Sequence, residues 1–242
     1  MIQSIEELSL NALPSLQTLL VDGWVLRFAN GYTKRANSVN PLYASANGVE
    51  SKVELCEEIY RRNNLPVVFK MTSAAQPENL DALLADRGYE VDSPTSVQTM
   101  QLRDTNTSLD AKLDATVTEE WLAAFCRLGA IDEARKATLR QMLTSIAPQK
   151  CFAAMLEADQ IVACGLGVRQ GDHVGFYDII TDKVFRNRGY GKRLMRNLLT
   201  WGKQNGARHA YLQVMLNNAP ALRLYAQLEF KQVYEYWYRI KR

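Results

Sequence analysis

The chain has 242 residues, with 29 Lys and Arg against 26 Asp and Glu for a net charge of +3, and is 47% hydrophobic and 23% charged. That length allows one large domain or two small ones, with a core that needs no metal or disulfide staple. The composition excludes a disordered, collagen-like or low-complexity chain, and a charge of +3 spread over this length is no nucleic-acid footprint, so no nucleic-acid partner is expected.

The amino terminus carries Glu6 and Glu7 where a signal peptide needs basic residues. No apolar run approaches the roughly 20 residues of a membrane span. A soluble, cytoplasmic protein with no membrane partner is the expectation. Residues 24–28, 33–36 and 37–43 read as short strands, and 49–62 as a helix with Val53, Leu55, Cys56 and Ile59 apolar. Residues 67–71 read as a strand, 78–86 as a helix and 97–102 as an alternating strand. The polar stretch 103–114 favours turns and is the candidate linker.

Beyond it, helices are expected at 119–128 and 132–146, then strands at 151–156, 161–168 and 174–181 joined by short turns. A glycine-bearing loop opens a further helix ending at Gly206, followed by a strand at 210–216, a short helix at 219–228 and a last strand at 232–240. This order predicts an α/β (α+β) fold, a mixed and mostly antiparallel sheet flanked by helices. The first half repeats part of that order. Residues 67–71 overlay 211–215, and Arg87-Gly88-Tyr89 overlays Leu228-Glu229-Phe230.

Cys56, Cys126, Cys151 and Cys164 contain no C-x-x-C pair, and the histidines are only His173 and His209. Reduced thiols and no metal site are expected.

The most informative stretch is Arg186-Asn187-Arg188-Gly189-Tyr190-Gly191-Lys192-Arg193, lying between a strand and a helix. Loop amides, the helix N-terminus and the cations Arg186, Arg188, Lys192, Arg193 and Arg196 together suit a pyrophosphate. A Walker loop is excluded because the first required glycine is Arg186 and Arg193 replaces the Ser or Thr. A dinucleotide fingerprint is excluded because position 194 is Leu. Downstream, Asn218 stands where a helix begins, and Tyr225 lies seven residues on, on the same face. A phenol there can donate a proton to a leaving group.

Together these residues resemble the GNAT superfamily of acetyl-CoA-dependent N-acetyltransferases. Its pyrophosphate motif, Arg or Gln, two residues, Gly, one residue, Gly or Ala, is met by Arg186, Gly189 and Gly191; its N-x-x-A-x-x-L-Y pattern is met by Asn218, Ala221, Leu224 and Tyr225. The resemblance covers about residues 115–242. It implies an enzyme that moves an acetyl group from acetyl-CoA to a primary amine by direct attack in a ternary complex. It further implies that amides from Asn187 through Arg188, Gly189, Tyr190, Gly191 and Lys192, with Arg186, hold the pyrophosphate. Main chain at Ile179, Ile180 and Thr181 would pair with the pantetheine, Asn218 would bond it or help hold the splayed strand, and Tyr225 would act as general acid to the CoA thiolate, or at least hydrogen-bond it. The acceptor would be a small-molecule or peptide amine. Lys183 and Glu229 depart from the usual Pro and small residue of the family. The general base is open between Asp178 and a water; Tyr177 alternates with Asp178, so only one of the two can face the ligand on a regular strand.

The segment from Asp22 to Val39 resembles the N-terminal region of two-domain GNAT proteins. The implied organisation is a degenerate GNAT-like module at 1–105, a linker at 106–114 and a catalytic domain at 115–242. The overlay gives Ser45-Ala46-Asn47 in place of the phosphate loop and Leu84 in place of Tyr225. Trp24, Arg27, Arg35 and Asn37 are either fold determinants or part of a substrate pocket. The aromatic tail from Tyr234 to Tyr238 either packs on a sheet or lines an acceptor pocket. The rival reading of the whole chain is a non-catalytic acyl-CoA-binding or sensor protein using the same loop.

Overall fold

A computed structural model describes every residue except 45, 47, 104–108 and 242. The overlay position at Ser45 and Asn47 and part of the expected linker therefore lie outside the described residues. The elements run α1 (Ile2–Ala12), β1 (Gln17–Val21), β2 (Trp24–Phe28), β3 (Val39–Asn40), α2 (Val49–Arg62), β4 (Val67–Thr72), α3 (Leu80–Asp86) and β5 (Glu90–Gln101). Then follow β6 (Lys112–Asp114), α4 (Glu119–Gly129), α5 (Glu133–Thr144), β7 (Gln149–Glu157), β8 (Gln160–Gln170), β9 (His173–Thr181), α6 (Tyr190–Gln204), β10 (His209–Met215), α7 (Ala219–Gln227) and β11 (Lys231–Lys241).

The chain divides into two compact units. One comprises Met1–Val97, Met215–Asn217 and Val233–Arg242; the other comprises Gln98–Val214 and Asn218–Gln232. The last strand, which follows α7 in sequence, thus packs in the first unit rather than with the residues before it. Lys112–Asp114, within the stretch read as a linker, forms β6 and pairs antiparallel with β7.

In the first unit the strand order is β1-β2-β3-β4-β11-β5. Strand β4 runs parallel to β3 and antiparallel to β11, with Met71 opposite Trp237. Trp24, Val53, Phe69, Leu80, Leu84 and Tyr89 form its core. Burying such side chains contributes about 1.5–3 kcal/mol each. Two expectations fail here for physical reasons. Residues 33–36 are not a strand but carry a one-turn 3-10 helix, Lys34–Ala36, beside which the Asn37 amide organises the loop. Its Oδ1 accepts from the N–H of Ala29 at 2.8 Å and of Gly31 at 3.0 Å, and its Nδ2 donates to Thr33 O at 2.9 Å. Strand β1 escaped notice because most of its residues are exposed, so no apolar alternation marks it.

The same unit settles the roles of several singled-out residues. Trp24 is fully buried and donates from Nε1 to Gln76 O at 2.8 Å. Arg27 is buried and its guanidinium holds the carbonyls of Arg35, Leu10 and Leu13. Trp24, Arg27 and Asn37 are thus fold determinants. The aromatic tail packs on β4. Tyr234 donates to Glu6 Oε1 at 2.7 Å, and Glu6 forms a buried ion pair with Lys70, whose ammonium lies 4.1 Å from the Tyr236 ring centre.

In the second unit the order is β10-β9-β8-β7-β6. The hairpins β7–β8 and β8–β9 are antiparallel, as the short turns require, whereas β10 runs parallel to β9 after the crossover through α6. Thr118 and Asp132 cap α4 and α5, accepting from the N–H of Trp121 and Arg135. Helix α6 buries Leu194, Met195 and Leu198 against the sheet beside Val162, Phe176 and Leu212. The parallel arrangement β3–α2–β4 in the first unit matches β9–α6–β10 in the second, consistent with the overlay of 67–71 on 211–215.

Candidate active site

The site begins with an irregularity in β9. Across from β8, Cys164 pairs with Ile180 and Leu166 with Tyr177, so Asp178 and Ile179 oppose Gly165 alone. Asp178 takes φ +54 at this bulge. A Cβ on Gly165 would lie 2.7 Å from Ile179 Cδ1 and 3.0 Å from Leu198 Cδ1, so the glycine leaves room for those side chains opposite the bulge. The expectation that Tyr177 and Asp178 alternate on a regular strand therefore does not apply. Tyr177 is buried, and its hydroxyl bonds that of Tyr211 at 2.8 Å.

Just before the bulge, β9 parts from β10. The parallel ladder spans His209↔His173 to Leu212↔Phe176, while β9 continues to Thr181 and β10 to Met215. The edge of β9 along Ile179, Ile180 and Thr181 is thereby released from the β10 ladder.

After Thr181 the chain makes a one-turn 3-10 helix, Lys183–Phe185, capped by Asp182, whose Oδ1 accepts from Val184 N at 3.0 Å. Arg127 from α4 bonds the other carboxylate oxygen of Asp182 at 2.9 Å. These two donors hold the Asp182 carboxyl below its ordinary range, the backbone bond first. The loop then turns through Asn187 at φ +61 and Gly189 at φ +86 into α6. At Gly189 the left-handed backbone has a direct requirement for glycine. The first N–H groups of α6 have no acceptor within the helix and point back at the loop.

Beside this loop, Asn218 caps α7, accepting from Ala221 N at 3.3 Å. The cap sets Ala221, Leu224 and Tyr225 facing the loop. One cavity of about 700 Å³ results, lined by Ile179, Ile180, Thr181, Arg186, Asn187, Gly189, Tyr190, Gly191, Lys192, Asn218 and Tyr225. Of the residues singled out from sequence, Arg188 is not on this wall; its guanidinium lies 5.2 Å from the Phe185 ring centre. Arg193, expected among the cations at the loop, instead bonds Asp110 at 2.9 and 2.6 Å, and Arg196 does not line the cavity. Asp178 does not line it either. Sequence reasoning missed Phe185, Pro220 and Arg223, which do. No spacing could have signalled Arg223, because its separations from Asn218 and Tyr225, five and two residues, do not fall on one helical face.

The cavity is polar at the loop and apolar towards Leu224 and Ile179. Tyr225 is buried, and burial pushes its phenol up to about 12. The cysteines Cys56, Cys126, Cys151 and Cys164 are buried free thiols, and burial pushes Cys56, Cys151 and Cys164 up to about 12 and Cys126 upward. Among the described residues no three His, Cys, Asp or Glu side chains are grouped to hold a metal. Among the described residues no helix is long and apolar enough to cross a membrane.

A cofactor with a pyrophosphate and a long arm fits these walls. A Cβ on Gly191 would project between Thr181 Oγ1 at 3.4 Å and Leu224 Cδ2 at 3.6 Å, filling the passage from the loop to the β9 edge. A bulged and splayed β9, a glycine loop opening α6 and a capped α7 bearing a tyrosine define a GNAT-type acetyltransferase, a class that uses acetyl-CoA as co-substrate.

Comparison with known proteins agrees. The chain belongs to the family described as "Probable histone acetyltransferase Rv0428c C-terminal", which matches residues 1–239. It is 31% identical over 248 residues to the uncharacterized N-acetyltransferase YobR of Bacillus subtilis (strain 168), covering 100% of this chain and 99% of that protein. Among solved structures it is similar to a GCN5-related N-acetyltransferase from Kribbella flavida, with a TM-score of 0.73, 14% identity, and 99% and 95% of the two chains covered. A tandem GNAT protein from the clavulanic acid biosynthesis pathway aligns with a TM-score of 0.68 and 12% identity over 98% of this chain and 87% of that one. The chain is a GNAT-type N-acetyltransferase.

Proposed function

We propose that this enzyme moves an acetyl group from acetyl-CoA to a primary amine by direct attack within a ternary complex, at the cavity between β9, α6 and α7. Acetyl-CoA would supply the activated thioester: the amine nitrogen bonds the acetyl carbon, the C–S bond breaks, coenzyme A leaves as the thiolate, and the proton lost by the amine passes to a base or an ordered water. What carries the reading is the convergence on one cavity of the released β9 edge, the glycine loop and Tyr225.

The amides from Asn187 to Lys192, with the Arg186 side chain, hold the pyrophosphate against the positive end of α6. Main chain at Ile179, Ile180 and Thr181 pairs with the pantetheine arm as an added strand would. Asn218 uses its Oδ1 for the α7 cap, which leaves its Nδ2 as the group that would bond the arm.

Tyr225 keeps its proton at neutral pH, with a phenol at about 12. An ordinary thiol titrates near about 8.5. The phenol is then the weaker acid, and complete transfer of its proton to sulfur runs uphill. The role that fits is a hydrogen bond donated by Tyr225 Oη to the sulfur as charge develops there. The raised thiols of Cys56, Cys151 and Cys164 argue against an acyl-cysteine, because the thiolate is the nucleophile.

The first unit is, in this reading, a GNAT-like module without cofactor chemistry. Leu84, at the overlay position of Tyr225, is buried in its core. One acetyl-CoA per chain is the expected stoichiometry.

The test is release of free CoA thiol from acetyl-CoA over a panel of amines. Because the matched family is described as a histone acetyltransferase, lysine side chains of a basic protein come first, followed by polyamines and small primary amines. Binding of acetyl-CoA with no amine-dependent release would favour the sensor reading. Absence of binding would overturn both.

A further inference from the structure

Arg223 stands on the cofactor cavity but belongs to none of the matched motif positions. Three cations line that cavity, Arg186, Lys192 and Arg223. The first two come from the glycine loop and the first turn of α6, whereas Arg223 comes from α7 on the other wall. Arg186 Nε donates to Thr181 O at 3.5 Å, and Lys192 Nζ donates to Gln227 Oε1 at 3.3 Å. Gln227 lies one helical turn beyond Arg223 on α7, so both share a face. The Lys192–Gln227 contact thus fixes Arg223 on the side of α7 turned to the start of α6, at the phosphate end of the cavity. Arg223 is exposed, which sets it at the rim.

Coenzyme A carries phosphate in two places, the pyrophosphate and a 3′-phosphate on the ribose. The loop amides, the helix end and Arg186 answer the first. We infer that Arg223 binds the 3′-phosphate from the α7 wall, so that the enzyme distinguishes coenzyme A from its 3′-dephospho form. The inference rests on the reading of this cavity as the acetyl-CoA site. A guanidinium suits the role because its planar fork meets a phosphate with two parallel bonds. The rim position limits the gain to that of an exposed charge pair with good geometry, roughly three- to tenfold in affinity.

Isothermal titration of the full chain with coenzyme A and with 3′-dephospho-coenzyme A tests this without turnover. The wild type is expected to prefer coenzyme A by about three- to tenfold. Arg223→Ala should lose that preference by weakening coenzyme A alone, and Arg223→Lys should restore part of it. Arg186→Ala should weaken both ligands alike, and its thermal melt and those of the Arg223 variants should match the wild type. An Arg223→Ala variant that binds coenzyme A normally, or loses both ligands equally, overturns the inference while leaving the acetyl-CoA reading intact. A wild type that binds neither ligand overturns that reading and the inference with it.

Discussion

Gly191 faces Thr181 across the cofactor cavity so closely that a Cβ on Gly191 would lie 3.4 Å from Thr181 Oγ1. That is ordinary contact, so the fold tolerates a side chain there, but the passage does not. Gly191→Glu places a carboxylate where the proposed site would receive the cofactor's phosphate charge. The expected result is a wild-type melting temperature with acetyl-CoA affinity reduced by about 100-fold or more, equivalent to at least about 2.7 kcal/mol. Retained affinity would move the cofactor elsewhere.

Tyr225→Phe removes the hydroxyl and keeps the ring that packs on Phe230 at 6.0 Å. Turnover should fall by about 100- to 1,000-fold, the scale of losing one donor to a developing charge, with KM for acetyl-CoA nearly unchanged. Since the phenol is raised to about 12, Tyr225 should add no basic limb to the kcat profile below about pH 11. A limb near pH 8 that vanishes in the variant would contradict this ordering of acid strengths.

Glu229 follows α7 with φ +67, a left-handed conformation costly for any residue with a Cβ. Its overlay partner Gly88 follows α3 with φ +82. The side chain of Glu229 gains little in return, because its pairing with Arg103 at 3.6 Å is exposed on both sides. Glu229→Gly should therefore raise stability by about 0.5–1 kcal/mol in chemical denaturation. A decrease would mean that Glu229 makes a contribution beyond that weak pair.

Asp81 in the first unit accepts from Arg239 at 2.9 and 2.7 Å and from Trp237 Nε1 at 2.7 Å. The Arg239 bonds hold its carboxyl below the usual range. A lowered carboxyl contributes stability above the unfolded value, near about pH 3.9, and loses it as the pH falls through the lowered one. Asp81→Asn should cost about 1 kcal/mol at pH 7, discounted for the partial exposure of the pair, and the gap from wild type should narrow as the pH falls through the lowered value. A gap that persists unchanged at low pH would assign the loss to packing instead of charge.

Much of the candidate site was legible in the sequence because it depends on local backbone chemistry. A glycine with positive φ, a helix N-terminus and an N-cap asparagine leave signatures within a few residues. The helices α2 and α4 and the strands of the second unit were legible for the same reason, since apolar periodicity marks them. Strand β1 was hidden because its side chains are mostly exposed. The 3-10 turn at Lys34–Ala36 was hidden because Asn37 organises it through bonds to Ala29, Gly31 and Thr33 that no periodicity records.

The sequence by itself determined that a cation-rich glycine loop opens a helix here and that an asparagine and a tyrosine share the face of a later one. Only the tertiary structure decided which charges serve the cavity. Arg193 is drawn off by Asp110, 83 positions away in the chain, and Arg188 by the Phe185 ring, while Arg223 enters from α7. Tertiary packing also decided that β9 bulges at Asp178, where Asp178 and Ile179 together oppose Gly165 of the neighbouring strand. The reason is physical: backbone conformations are dictated by neighbours in sequence, whereas the direction of a long charged side chain is set by partners that folding brings near.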